Sequence, residues 1–203
     1  MKLSLAHQVA ITGAALLLTQ SLAFADDPIP EAAPVSVHNG PYVAECNGAS
    51  TLVPVTSIGS FDPDGTAITV FWFEECTFGF FDDPTSPQCN YVIDMTGVCL
   101  RQCNGVLRVI SGGQTTPSLF PVTVQDTTAP TVNAPSSLTV IWGYDTTLAS
   151  TGIAAPTDLC DPAPTFSYVE TIIPQTGPGH EQTILRDWTA LDRCGFQATT
   201  TQS

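Results

Sequence analysis

Pro121-Val-Thr-Val-Gln-Asp126-Thr-Thr-Ala-Pro130-Thr-Val-Asn-Ala-Pro135 is the stretch on which the fold turns. An alternating β-pattern closes before Asp126 and a second one opens after Pro130, with a polar middle too short for a helix. Pro130 and Pro135 bias the residues before them toward extended backbone and remove two amide donors. A short, stiff, unpaired connector between two β-sandwiches needs those properties. The chain therefore reads as all-β, two tandem sandwiches on either side of residue 126.

Working outward to the ends, Met1-Lys2 is followed by an apolar run from Val9 to Leu18 and by Ala23-Phe24-Ala25, the layout of an export signal over 1–25 with cleavage near Ala25. The run is about half of what a spanning helix requires. Residues 26–38 are rich in Pro and Ala without periodicity and are expected to be a disordered or extended lead-in. What remains suits two domains of about 80 residues each. Loss of Lys2 would leave 4 arginines against 19 acids, a net charge of −15. Nucleic acid and anionic membrane surfaces would repel such a chain. The acids are spread along the sequence, as on a solvated surface. The 7 cysteines imply disulfides in an exported protein, and the odd count leaves at least one sulfur without a partner in the chain.

In the first half, 39–125, strand-like segments fall at 42–45, 51–57, 67–74, 90–95, 105–110 and 119–125, separated by Gly, Pro, Asp and Asn. Trp72 sits in the heaviest apolar run and is expected to fill the core between two sheets. Before it lies Asp62-Pro63-Asp64-Gly65, a tight-turn sequence. Asp62 and Asp64 are also a candidate calcium pair, since two carboxylates two residues apart can face one hard cation. Cys46, Cys76, Cys89, Cys99 and Cys103 leave their pairing open; Cys76 with Cys99 or Cys103 would tie the segment after the Trp strand to the hairpin before 105–110. A zinc clip at Cys99 and Cys103 lacks a second knuckle.

Ser60 to Glu75 (SFDPDGTAITVFWFEE), continued by Phe81-Asp-Asp-Pro-Thr-Ser86, resembles the Asp-Pro-Asp-Gly turn and Trp strand of PKD-type (polycystic-kidney-disease repeat) modules. The resemblance covers most of 39–125. It implies a seven-stranded Ig-like sandwich of an extracellular protein, serving as a spacer, an adhesive unit or a carbohydrate-contacting accessory.

In the second half, 126–203, strands are expected at 131–133, 137–142, 152–155, 164–171, 181–190 and 196–201, with Trp188 a core aromatic like Trp72. Asp126-Thr-Thr-Ala-Pro130, Ala155-Pro-Thr-Asp158-x-Cys160-Asp-Pro162 and Trp188-Thr-Ala-x-Asp192-x-Cys194-Gly195 together resemble an HYR (hyalin-repeat) type Ig-like module. That resemblance implies a Cys160–Cys194 bond, and the residues agree with it, these being the two cysteines of this half. Such a loop would stabilise by roughly 3–4 kcal/mol. Bacterial modules of this type often carry a further cysteine at Trp142-Gly143 and another near Thr199 and Thr200, both missing here, and continue for several residues beyond Gln202-Ser203. The chain is thus expected to have a short last strand or to be a fragment of a longer repeat protein, with an exposed pairing edge.

Nothing in the sequence assembles a catalytic centre. His38 and His180 are isolated, no serine stands in a nucleophile elbow, and Glu74 and Glu75 would point to opposite faces of a strand. The expected function is a non-catalytic, secreted or cell-surface structural and adhesive module pair contacting an extracellular protein or polysaccharide. One alternative is a carbohydrate-binding accessory of a degradative enzyme, using Tyr42, Phe78, Phe80, Phe81 and Tyr144. Another is a calcium-dependent adhesin unit in which Asp62 and Asp64 join Asp126 at the junction.

Overall fold

The computed structural model describes residues 30–141, 143–174 and 182–203. The signal segment 1–25, Trp142 and His180 lie outside the described residues. Seven strands build the first half: β1 (Tyr42–Glu45), β2 (Ser50–Thr56), β3 (Thr69–Glu74), β4 (Gly79–Phe81), β5 (Gln88–Asp94), β6 (Leu100–Ser111) and β7 (Gln114–Gln125). One sheet has the order β1-β7-β6-β3, the other β2-β5-β4. With β1 parallel to β7 and every other pair antiparallel, this is the strand order of an Ig-like sandwich.

The sequence builds these strands by period-two burial. In β2, Thr51, Val53 and Val55 face inward between exposed neighbours; in β6, Cys103, Leu107 and Val109 do the same. β6 and β7 form a hairpin of twelve-residue strands over Gly112-Gly113, whose φ angles of 52° and 80° suit the two-residue turn that matches strand twist. Pro117 and Pro121 are tolerated in β7 because β1 covers that edge only from Val122 onward. Trp72, 1% exposed, plugs the core as expected: its ring lies 5.7 Å from both Phe81 and Phe120, and its Nε1 donates to the Ser86 carbonyl at 2.8 Å.

β4 was not legible in the sequence, being three residues long. It can lie against β5 because Gly79 has no Cβ; one placed there would sit 2.8 Å from the Tyr91 ring and 2.9 Å from the Val92 carbonyl. The lead-in from Glu31 is extended and tied down, so the disordered reading does not hold there. Val35 exchanges backbone hydrogen bonds with Phe61 at 2.7 and 3.2 Å, and the Val37 amide donates to Ser60 Oγ at 2.9 Å.

The second half contains β8 (Thr131–Asn133), one helical turn α1 (Leu148–Thr151), β9 (Ala155–Thr157), β10 (Thr165–Pro174), β11 (Gln182–Leu191) and β12 (Gln197–Gln202). β10-β11-β12 form an antiparallel sheet, and β8 pairs with β9 beside β11 and β12. The expected strand at 137–142 is absent among the described residues. Leu138 makes a single backbone bond, to the Ser203 carbonyl at 3.0 Å, and one bond does not make a ladder. Among the described residues the buried apolar side chains here are few, namely Trp188, Ala190 and Ala154, with Cys160 joining the first core. Arg186, also buried, is held by Glu170 at 2.9 Å and by the Thr146 carbonyl and Thr151 hydroxyl. Residues Glu31–Ser203 make one compact unit. No helix among the described residues is long and apolar enough to cross a membrane.

Candidate functional site at the junction

The loops at one end of the first sandwich meet the loops of the second half, and cysteines lock that meeting. Cys46, just after β1, bonds Cys160; Cys99, just before β6, bonds Cys194 in the β11–β12 turn. The expected Cys160–Cys194 pair is therefore incorrect. Pairing within a module presumes that its cysteines face each other, whereas both of these lie in end loops turned toward the neighbour. Parity gave no signal, since one cysteine is left over whether the modules pair within themselves or across the junction. Cys76 pairs with Cys103, the second of its two expected partners. The register explains the choice: Glu74 lies opposite Gly105, so the next inward position on each chain brings 76 opposite 103.

Cys89 is left free and buried in β5. Burial, with smaller contributions from Asp82 and Asp83, pushes its thiol up to about 12. A thiol held that high is almost entirely protonated near neutral pH and a poor nucleophile. Iodoacetamide is expected to label Cys89 at least ~100-fold more slowly in the folded chain than in denaturant, read by intact mass.

Around the two cross-links gather Glu45, Asp126, Asp158, Asp161 and Asp192. The connector that begins at Asp126 was expected to be unpaired, but Glu45 clasps it. Glu45 Oε1 accepts from the Thr127 amide at 2.6 Å and the Thr128 hydroxyl at 3.0 Å, and Oε2 accepts from the Thr127 hydroxyl at 2.8 Å. Partial burial works to raise the Glu45 carboxyl, but these donors outweigh it and hold the group below its ordinary range. A carboxylate so held adds stability above its ordinary range and loses it as pH falls through the lowered value. Glu45→Gln is expected to cost about 1 kcal/mol near pH 7 and progressively less as the pH falls below the ordinary carboxylate range, measured as the difference in thermal melts from the unsubstituted chain.

Asp126 behaves oppositely. Burial raises its carboxyl, the Thr128 amide partly offsets this, and the charges of Asp158, Asp192 and Glu45 add to the rise. Asp126 Oδ2 lies 3.2 Å from the Cys194 sulfur, which in a disulfide carries no proton to give. Asp192 is 4% exposed; its Oδ1 accepts from the Phe196 amide at 2.9 Å, while Oδ2 is buried without a partner. Ligand atoms of Asp126, Asp158 and Cys160 lie within 4.8 Å of one another. Bonded to Cys46, the Cys160 sulfur is no thiolate, so a hard cation would find carboxylate oxygens alone. Asp161 is turned away to its own partners, the Arg193 amide at 2.8 Å and guanidinium at 3.4 Å.

The other expected site residues are dispersed. Asp62 and Asp64 do not join Asp126: they sit at the Ser111–Gln114 end of the sandwich, and Asp126 at the Leu100–Gln125 end, roughly 30 Å away at ~3.3 Å per strand residue. There Asp62 Oδ1 accepts from the Asp64 amide at 2.7 Å, as in a turn, and Asp64 Oδ2 accepts from the Ala32 amide of the lead-in at 2.6 Å; Asp62 Oδ2 is buried without a partner. Of the aromatics, Tyr42 and Phe81 are in the core, while Phe78, Phe80 and Tyr144 are exposed. Phe78 is covered by Arg101 at 3.8 Å. These five rings form no common platform. His38 packs its ring 5.1 Å from Phe120.

No protein-family model matches this chain. No curated protein matches it either. Among solved structures, human protocadherin-24 EC1-2 is similar at a TM-score of 0.39 and 15% identity, over 85% of this chain and 97% of that one. A chimeric titin Z1Z2 is similar at 0.34 and 13%, over 86% and 96%. A nucleoside hydrolase-related hypothetical protein from Saccharophagus degradans, associated with carbohydrate metabolism, is similar at 0.37 and 17%, over 47% of this chain and 26% of that one. The chain thus spans about a quarter of the length of that protein. At these scores the likenesses carry no argument, and the sandwich rests on its own strand order.

Proposed function

We propose that this chain is a non-catalytic extracellular unit, structural or adhesive, that acts as a rigid spacer and presents its loops and strand edges to an extracellular protein or polysaccharide. The observation that carries the reading is the pair of cross-links, Cys46–Cys160 and Cys99–Cys194, which close the junction covalently while Glu45 grips the connector between them. The PKD-type and HYR-type resemblances belong to the same reading, as do export and the acidic surface. The carbohydrate-accessory alternative is weaker, because Tyr42 and Phe81 serve the core.

The test is mechanical. Pulled from its two ends, the oxidised chain can pay out residues 31–46 and 160–203 of the described unit, while the Cys46–Cys160 bond bypasses the rest. At ~3.4 Å per residue that is roughly 200 Å, against roughly 600 Å after reduction. Equal extensions in the two states, or turnover of a polysaccharide by the purified chain, would end this reading. A calcium-dependent form of the same function is favoured by one observation, the buried, partnerless Oδ2 of Asp192 in the cluster that also holds the Asp126 carboxylate. Thermal melts with calcium and with chelator decide it, and identical melts remove it.

A further inference from the structure

The observations that reach furthest concern β10. Among the described residues it is an edge strand, paired to β11 over ten consecutive residues without a bulge. Every one of those residues is exposed. Natural edges are usually blunted by lysine, internal proline, a bulge or shortness. β10 has none of these, and its only proline is the last residue. Phe166, Tyr168 and Ile172 stand 43%, 42% and 55% exposed on one face, beside the buried Trp188; Val169 and Ile173 stand 67% and 39% exposed on the other. Free backbone donors and acceptors therefore run between two apolar margins that this chain leaves uncovered.

Charge selects the occupant. The chain carries −14, so most approaches of one copy to another bring like charges together. β10 holds a single acid, Glu170, and Arg186 neutralises it at 2.9 Å. It is a long, electrically balanced edge on an acidic molecule, a place where a second copy brings no unpaired carboxylate against the strand. We infer that two copies of this chain pair β10 with β10 antiparallel about a twofold axis through Val169, giving one six-stranded sheet across the dimer.

The axis follows from side-chain alternation. Opposed residues in an antiparallel pair share a face, so a strand can pair with its own copy only about a residue, never between two. An axis through Glu170 sets two carboxylates against each other. An axis through Tyr168 gives up overlap. About Val169, Phe166 meets Ile172 of the second copy, Tyr168 meets Glu170, Ser167 meets Thr171 and Thr165 meets Ile173. Phe166–Ile172 is an aromatic–aliphatic pair and Ser167–Thr171 a hydroxyl pair of the kind that stabilise sheets, in an interface where each copy uses the same patch.

Val169→Cys tests the axis directly, because a self-opposed pair brings the two Cβ atoms to about 5 Å. Air oxidation of this variant is expected to give a covalent dimer whose linked peptide maps to 169–169. Ile141→Cys, 83% exposed and off the edge, is expected to cross-link at least 10-fold more slowly. Val169→Lys is expected to weaken dimerisation at least 10-fold by sedimentation equilibrium, with unchanged near-ultraviolet circular dichroism showing an intact fold. The inference is overturned by equal oxidation rates for the two cysteine variants. It is equally overturned by a strict monomer at millimolar concentration, by a dimer indifferent to Val169→Lys, or by a monomer whose β10 takes only an extended peptide of another protein. None of these outcomes bears on the pulling experiment, so the two proposals fail separately.

Discussion

Replacing Cys46 and Cys160 together by serine lowers the unfolding free energy by about 4–5 kcal/mol, the loop-entropy value for a closed loop of this size. The bond joins residues 114 apart, and the second cross-link, between residues 95 apart, leaves a long loop still to be closed. For a unit of this length such a loss shifts the melting midpoint by roughly 10–20 °C. The effect is expected to be larger than usual for a further reason. The described residues of the second half bury little apolar surface of their own, and small cores depend on staples. Thiol counting distinguishes the connectivity: Cys46→Ser alone should release the Cys160 thiol and leave Cys194 bonded. A chain in which Cys46→Ser releases neither, or in which the double variant loses less than about 1 kcal/mol, does not have this junction.

Trp72→Ala is expected to cost about 3–5 kcal/mol, the range for removing a large buried aromatic. The ring is enclosed by Phe81 and Phe120 on opposite sheets, so neither sheet can collapse into the space without breaking its ladder. The Ser86 carbonyl also loses its donor. Trp188→Ala should cost less despite equally complete burial. Its flanking rings, Phe166 and Tyr168, are each more than two-fifths exposed and can move into the gap, or water can enter. Chemical denaturation of both variants checks the order. Equal losses would mean that the second half is packed as tightly as the first.

Much of the fold was legible because its signals are local. Period-two alternation, turn residues and the heavy run around Trp72 place six of the seven strands of the first sandwich within a few residues. The three-residue β4 escaped because a strand that short carries no alternation, and Gly79 shows its purpose only when Tyr91 is beside it. The run 137–142 had the β-branched content of a strand, but strands exist by pairing, and among the described residues no ladder partner reaches it. At the site, Asp62-Pro63-Asp64-Gly65 was readable as a turn, and the Asp64 amide to Asp62 Oδ1 and Gly65 amide to Asp62 carbonyl bonds are those of one. The gathering of Glu45, Asp126, Asp158 and Asp192 was not readable, because the four come from strand ends and loops far apart in sequence.

By itself the sequence determined an all-β chain with an Ig-like first sandwich, a tryptophan-filled core and more acid than base, since alternation, turns and charge are properties of short segments. Tertiary structure alone decided which sulfurs meet, where the acids converge and which strand, among the described residues, keeps one edge unpaired. Those depend on which ends of which strands are brought together, and no window of residues along the chain encodes a contact across 114 positions.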